Sequence, residues 1–108
     1  MKFIAMNRFK IISGREKEFE DIWRNRETYL STVSGFIEFH LLRGEKLEDF
    51  TLYSSHSLWN SKSDFVAWTK SEQFKKAHKG AGSHKTIYLG HPQFEGFDIL
   101  EGISESNK

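Results

Sequence analysis

Phe36-Ile37-Glu38-Phe39-His40-Leu41-Leu42-Arg43, then Gly44-Glu45-Lys46-Leu47-Glu48, then Asp49-Phe50-Thr51-Leu52-Tyr53-Ser54-Ser55-His56-Ser57-Leu58-Trp59, is the stretch on which the reading of this chain turns. Aromatic and aliphatic residues fill both flanks, and the middle is polar and carries a glycine. The pattern predicts two β-strands, about residues 36–43 and 49–59, joined as a hairpin.

Upstream, Gly35 marks a turn, and Ser13 with Glu16 has the spacing of a capping box that opens a helix. Phe19, Ile22, Trp23 and Leu30 then fall near one face, which predicts a helix ending near 31–34. Residues 2–10 alternate as a strand, with Phe3, Ala5, Asn7 and Phe9 on one side and Ile4, Met6 and Arg8 on the other. Downstream, Ser61 with Asp64 repeats the capping spacing, and Phe65 and Trp68 share a face. Ser71 restarts the helix, Phe74, Ala77 and His78 lie at i, i+3 and i+4, and Gly80 and Gly82 end it. A loop with His84, His91 and Pro92 leads to a last strand near 93–101.

The order β-α-β-β-α-β is the ferredoxin-like arrangement, an α+β fold on an antiparallel sheet. The 108 residues suit one domain, residues 1–103, with a polar tail over 104–108. Helices cover one face of such a sheet, and residues such as Ile4 and Met6 on the other face call for a second copy, so a homodimer is expected.

Composition removes several classes of function. Cysteine is absent, which excludes disulfides, thiolate catalysis and any Cys-held zinc or iron–sulfur site. Sixteen basic and 15 acidic residues leave a net charge of +1, which gives no argument for nucleic acid. No apolar run approaches the roughly 18 residues of a spanning helix, and charge comes too early for a signal peptide, so a cytoplasmic protein without membrane contact is expected. No Gly-rich phosphate loop, Gly-x-Ser-x-Gly elbow or tight metal-binding cluster occurs.

The chemistry therefore has to come from isolated residues. His40 and His56 fall on strands and read as structural, whereas His84 and His91 fall in a loop and read as solvated. His78 closes a helix with an apolar face, near Lys75, Lys76, Lys79 and Lys85. A neutral imidazole beside an apolar pocket with a basic rim suits iron held in a flat apolar ligand bearing carboxylates, a heme. The same residues also suit an ordinary helix end, with histidine and lysines facing the dipole. Asn7 puts an amide on an apolar strand face, where it must find hydrogen bonds or meet a ligand. Trp68 fits either a core or a ligand wall.

Taken together, Met1-Lys2-Phe3 through Asn7-Arg8, Trp59-Asn60-Ser61-Lys62-Ser63-Asp64-Phe65-Val66-Ala67-Trp68 and Lys70-Ser71-Glu72-Gln73-Phe74-Lys75-Lys76-Ala77-His78-Lys79 resemble the IsdG-type heme-degrading monooxygenases. These belong to the antibiotic-biosynthesis-monooxygenase-like superfamily of dimeric α+β barrels, and the likeness runs over about residues 1–100. The resemblance implies His78 as axial ligand to iron, Asn7 as a donor to oxygen bound on the opposite side, and Trp68 as the residue that ruffles the macrocycle. It implies heme as both cofactor and substrate, O2 as co-substrate, and an external electron donor, either a reductase or a small reductant. The outcome would be ring opening and iron release for iron acquisition, with Lys75, Lys76, Lys79 or Lys85 pairing with the propionates. Three other readings use the same fold: a heme carrier without turnover, a cofactor-independent monooxygenase acting on an aromatic substrate with His78 as acid or base, and a regulatory small-ligand domain.

Overall fold

The computed structural model describes residues 1–78 and 86–105. The expected helix end at Gly80 and Gly82, the loop residue His84, and Lys79 and Lys85 lie outside them, as do residues 106–108 of the polar tail. Four strands, β1 (Phe3–Ile12), β2 (Phe36–Lys46), β3 (Phe50–Trp59) and β4 (Gln93–Asp98), form one antiparallel sheet in the order β2-β3-β1-β4. Helix α1 (Glu16–Arg24) links β1 to β2, and two short helices, α2 (Lys62–Thr69) and α3 (Glu72–Ala77), follow β3. The β-α-β-β-α-β order expected from the sequence is the one observed. Strand β2 runs three residues longer than expected and β3 starts one residue later, so their connection shrinks to Leu47–Asp49, and β4 ends at Asp98.

Two caps expected from the sequence form. The Ser61 hydroxyl accepts from the Asp64 backbone N–H at 3.2 Å, and the Ser71 hydroxyl accepts from that of Phe74, also at 3.2 Å. The third does not. Gly14 turns the chain at φ +93°, Arg15 becomes the N-cap without a side-chain bond, and the Ser13 hydroxyl donates instead to the Glu48 carbonyl at 2.9 Å. Glu16 is drawn sideways, accepting from the Gly14 N–H and the Thr51 hydroxyl. Helix α1 also stops early, at Arg24. An irregular link through Arg26 ends at Tyr29, whose φ of 60° is left-handed, and Leu30 then enters the core from a single 3-10 turn. A continuous helix would have carried Leu30 past that position.

Register decides which side chains share a layer. Phe3 pairs with Trp59 and Asp98, Ala5 with Ser57 and Gly96, Asn7 with Ser55 and Phe94, and Phe9 with Tyr53. On this face, which the helices cover, the two ends of the sheet are aromatic and the middle is small. The core splits accordingly. One cluster is built on Phe9, Ile11, Phe19, Tyr53 and Ile87, the other on Phe3, Ala5, Leu30 and Trp59. The other face bears Ile4, Met6, His56, Leu58 and Phe97, and none of these belongs to a core cluster among the described residues.

Candidate functional site

Small residues between two aromatic clusters leave a gap, and the gap is a cavity of about 420 Å³ between sheet and helices. That lies within the roughly 300–1,000 Å³ usual for small-molecule and cofactor sites. Its floor is Ala5, Asn7, Ser55 and Ser57 on the sheet, and its walls include Trp23, Phe39, Phe65, Trp68, Phe74 and Phe94. Asn7, Trp68 and His78, far apart in sequence, all line it.

His78 is the C-cap of α3. Its Nδ1 lies 2.9 Å from the Phe74 carbonyl oxygen, which can only accept, so Nδ1 carries the proton and Nε2 keeps its lone pair. This is the backbone-anchored tautomer common among metal-ligating histidines. The Phe74 ring stacks on the imidazole at 4.0 Å and fixes its plane. Burial pushes the His78 pKa below its usual value, the Phe74 carbonyl opposes that, and the charge of Arg26 lowers it further. The imidazole, which lines the cavity, is therefore held neutral and oriented, and its Nε2 has no hydrogen-bond partner among the described residues.

Trp68 is held by its neighbours. Its ring meets Trp59 at 5.3 Å, Phe74 edge-on at 4.8 Å and His78 at 5.9 Å. Its buried Nε1 has no hydrogen-bond partner among the described residues. The Asn7 amide likewise makes no side-chain hydrogen bond with any described residue, although Asn7 is half-buried. The polar group that sequence reasoning flagged therefore lines a cavity without a hydrogen-bond partner among the described residues.

Arg26 is a residue the sequence reading missed. It lines the cavity with its guanidinium over the Trp23 ring at 4.3 Å, and it has no carboxylate partner among the described residues. Burial lowers its pKa, yet a guanidinium stays charged. Of the lysines expected to form a basic rim, Lys75 is exposed and pairs with Glu72 at 3.5 Å, Lys76 is exposed, and neither lines the cavity. His40 and His56 face each other across β2 and β3 on the opposite side of the sheet, and His91 is exposed, all apart from the site.

Residues 2–80 match the model of the antibiotic biosynthesis monooxygenase family. The chain belongs to that family. A staphylobilin-producing heme oxygenase of Staphylococcus aureus is 34% identical over 79 residues, 73% of each chain, in line with the family resemblance drawn from the sequence. The structure of the heme-degrader MhuD from Mycobacterium tuberculosis, with two hemes in its active site, matches at a TM-score of 0.70 and 24% identity, over 94% of this chain and 99% of that one. SnoaB, a cofactor-independent oxygenase from Streptomyces nogalater, matches at 0.67 and 19%, over 96% and 98%. At those identities the two structures speak for the fold. Among the described residues, no helix is long and apolar enough to cross a membrane.

Proposed function

We propose that this antibiotic biosynthesis monooxygenase family member is a heme-degrading monooxygenase, which takes heme as substrate, opens its ring with O2 and electrons from an external donor, and releases the iron for iron acquisition. The observation that carries the reading is the setting of His78: a half-buried imidazole lining a largely aromatic cavity, with Nδ1 anchored to a carbonyl and Nε2 without a hydrogen-bond partner among the described residues. The donor set fits the group, since the walls are aromatic, the free imidazole nitrogen suits iron, and Arg26 supplies a cation for a carboxylate. When bound, heme brings the iron at which O2 is reduced. The chain's own part would be to ligate through His78, to press on the macrocycle with a Trp68 ring backed by Trp59 and Phe74, to present the Asn7 amide from the floor of the cavity, and to exclude bulk water with the aromatic walls. Arg26, and not the α3 lysines, is the proposed propionate partner. Arg26→Ala should weaken hemin binding about tenfold in a Soret titration, as loss of a charge-assisted hydrogen bond does.

The protein is also proposed to work as a homodimer, two copies pairing through the apolar sheet face of Ile4, Met6, Leu58 and Phe97. The wild type should sediment at twice the mass of one chain. Leu58→Glu should sediment as one chain, because a carboxylate there would be buried unpaired. An unchanged dimer would move the interface elsewhere.

Hemin added to the pure protein tests the main reading, followed by a reductant under air. Saturable binding with a histidine-type Soret band, then Soret loss and iron release, supports it. Stable binding without loss would make the protein a carrier, and the absence of specific binding would favour a cofactor-independent oxygenase.

A further inference from the structure

The floor of the cavity holds a second polar side chain beside Asn7. Ser55 is the direct cross-strand partner of Asn7 in the β1–β3 register, and both line the cavity. Directly paired positions on one face of an antiparallel sheet bring their Cβ atoms to about 4.5–5.5 Å. Ser55 is only 8% exposed, yet its hydroxyl has no hydrogen-bond partner among the described residues. The contrast with Ser57, two residues on in the same strand and also 8% exposed, is direct. The Ser57 hydroxyl accepts from Trp59 Nε1 at 2.9 Å and reaches the Ala5 carbonyl at 3.5 Å, so it is committed to the fold. The Ser55 hydroxyl makes no such bond with any described residue.

The Ser55 hydroxyl is not sealed into the core; it opens onto the cavity, at a strand position that an alanine or valine would fill equally well. A hydroxyl left open at the floor of a cavity is therefore aimed at what the cavity holds. Aromatic side chains make up much of the walls, and on the floor the Ser57 hydroxyl is already engaged, so Ser55 and Asn7 are the neighbouring polar groups there that make no side-chain hydrogen bond with a described residue. The two groups complement each other. An amide offers donors in a fixed plane, whereas a hydroxyl rotates and can donate or accept.

We propose that Ser55 is a second hydrogen-bonding group of the site, acting with Asn7 on a small ligand, anionic or diatomic, that the substrate's metal would hold over the floor of the cavity. This rests on the heme reading above and deepens it. With two donors converging on one small ligand, its orientation is set by the floor of the sheet and not by the metal alone. Discrimination follows: ligands that accept hydrogen bonds gain, and ligands that accept them poorly do not.

Fluoride is a suitable probe, because it is small, anionic and a strong hydrogen-bond acceptor, and because its affinity for the ferric complex is read without turnover. The experiment titrates fluoride into the hemin complexes of the wild type, Ser55→Ala, Ser55→Val and Ser55→Thr, and measures the hemin affinity of each by its Soret band. Thr and Val have nearly the same shape and differ in the hydroxyl, so a packing defect would strike both. The expected result is hemin binding unchanged within about threefold in all four, fluoride about tenfold weaker in Ser55→Ala and Ser55→Val, and near-wild-type fluoride affinity in Ser55→Thr. Fluoride affinity within twofold of wild type in Ser55→Ala and Ser55→Val overturns the role of Ser55 while leaving the heme reading intact. Equal weakening in Ser55→Thr and Ser55→Val overturns it too, as the effect would then come from shape. Failure of the wild type to bind hemin overturns both.

Discussion

His78→Ala should abolish the histidine-type Soret spectrum and weaken hemin binding by at least about 100-fold. Loss of a group that merely orients a metal ligand costs about 10–100-fold, and here the ligand itself is removed. No described residue can take its place. Cysteine is absent from the chain, His40 and His56 lie on the far face of the sheet, and His91 is exposed away from the cavity. Added imidazole should restore the spectrum, since the variant leaves a hole between Phe74 and Trp68 shaped to a ring. A histidine-type spectrum persisting in His78→Ala would assign the ligation to another residue. The pH dependence has a definite sign. Only a neutral imidazole ligates, and burial holds the His78 pKa below its usual value, so the neutral form persists to lower pH. Ligation in the wild type should therefore survive titration through about pH 6.5, the midpoint of a free imidazole, and fail only in more acid solution. A spectrum already half lost at that midpoint would contradict the buried setting of the ring.

The parts of the fold legible in the sequence are those set by local chemistry. Ser61 and Ser71 cap helices as their spacing implies, because a hydroxyl three residues before an unpaired backbone N–H needs nothing from the rest of the chain. Ser13 shows the same spacing and fails. There the competing partners are remote: the Glu48 carbonyl takes the Ser13 hydroxyl, and Thr51 donates to Glu16. Glu48 lies in the β2–β3 connection and Thr51 at the start of β3, both of which fold back against that turn, and no local pattern announces it. The early stop of α1 has the same origin. Nothing at Asn25 forbids another helical turn, yet the chain leaves the helix, passes Tyr29 in the left-handed region and buries Leu30 beneath the sheet.

The site divides along the same line. Asn7 stands out because an amide on an apolar strand face is anomalous wherever the strand pairs. His78 and Trp68 stand out through helical spacing and the family resemblance. Arg26 carries no such signal, since it lies in the irregular segment after α1 and meets the cavity only once Trp23 is beneath its guanidinium. Ser55 is hidden by register. A slip of one residue in β1–β3 pairing would turn it to the other face, and Ser54, Ser55 and Ser57 are equivalent candidates until Phe3 is set opposite Trp59. The cavity as a whole was illegible for the same reason: it exists because Ala5, Asn7, Ser55 and Ser57 come from two strands into two adjacent rows.

Those small rows also explain why Asn7 should matter to turnover more than to binding. Most contact with a flat apolar ligand comes from the aromatic walls and from His78, and an amide adds little to it. Asn7→Ala should therefore bind hemin within about threefold of the wild type and keep the histidine-type Soret band. Degradation under reductant and air should slow about 100- to 1,000-fold, the usual cost of losing a donor aimed at charge that develops only during reaction. The amide has no other employment to lose, since it makes no side-chain hydrogen bond with a described residue, so the fold should tolerate the change and thermal stability should stay close to wild type. Asn7→Asp sharpens the test. It keeps the shape and replaces a donor with an anion, so it should bind hemin and degrade it no faster than Asn7→Ala. Turnover at wild-type rate in Asn7→Ala would reduce Asn7 to a bystander on the cavity floor, and a loss of hemin binding as large as that of His78→Ala would make it part of the binding surface instead.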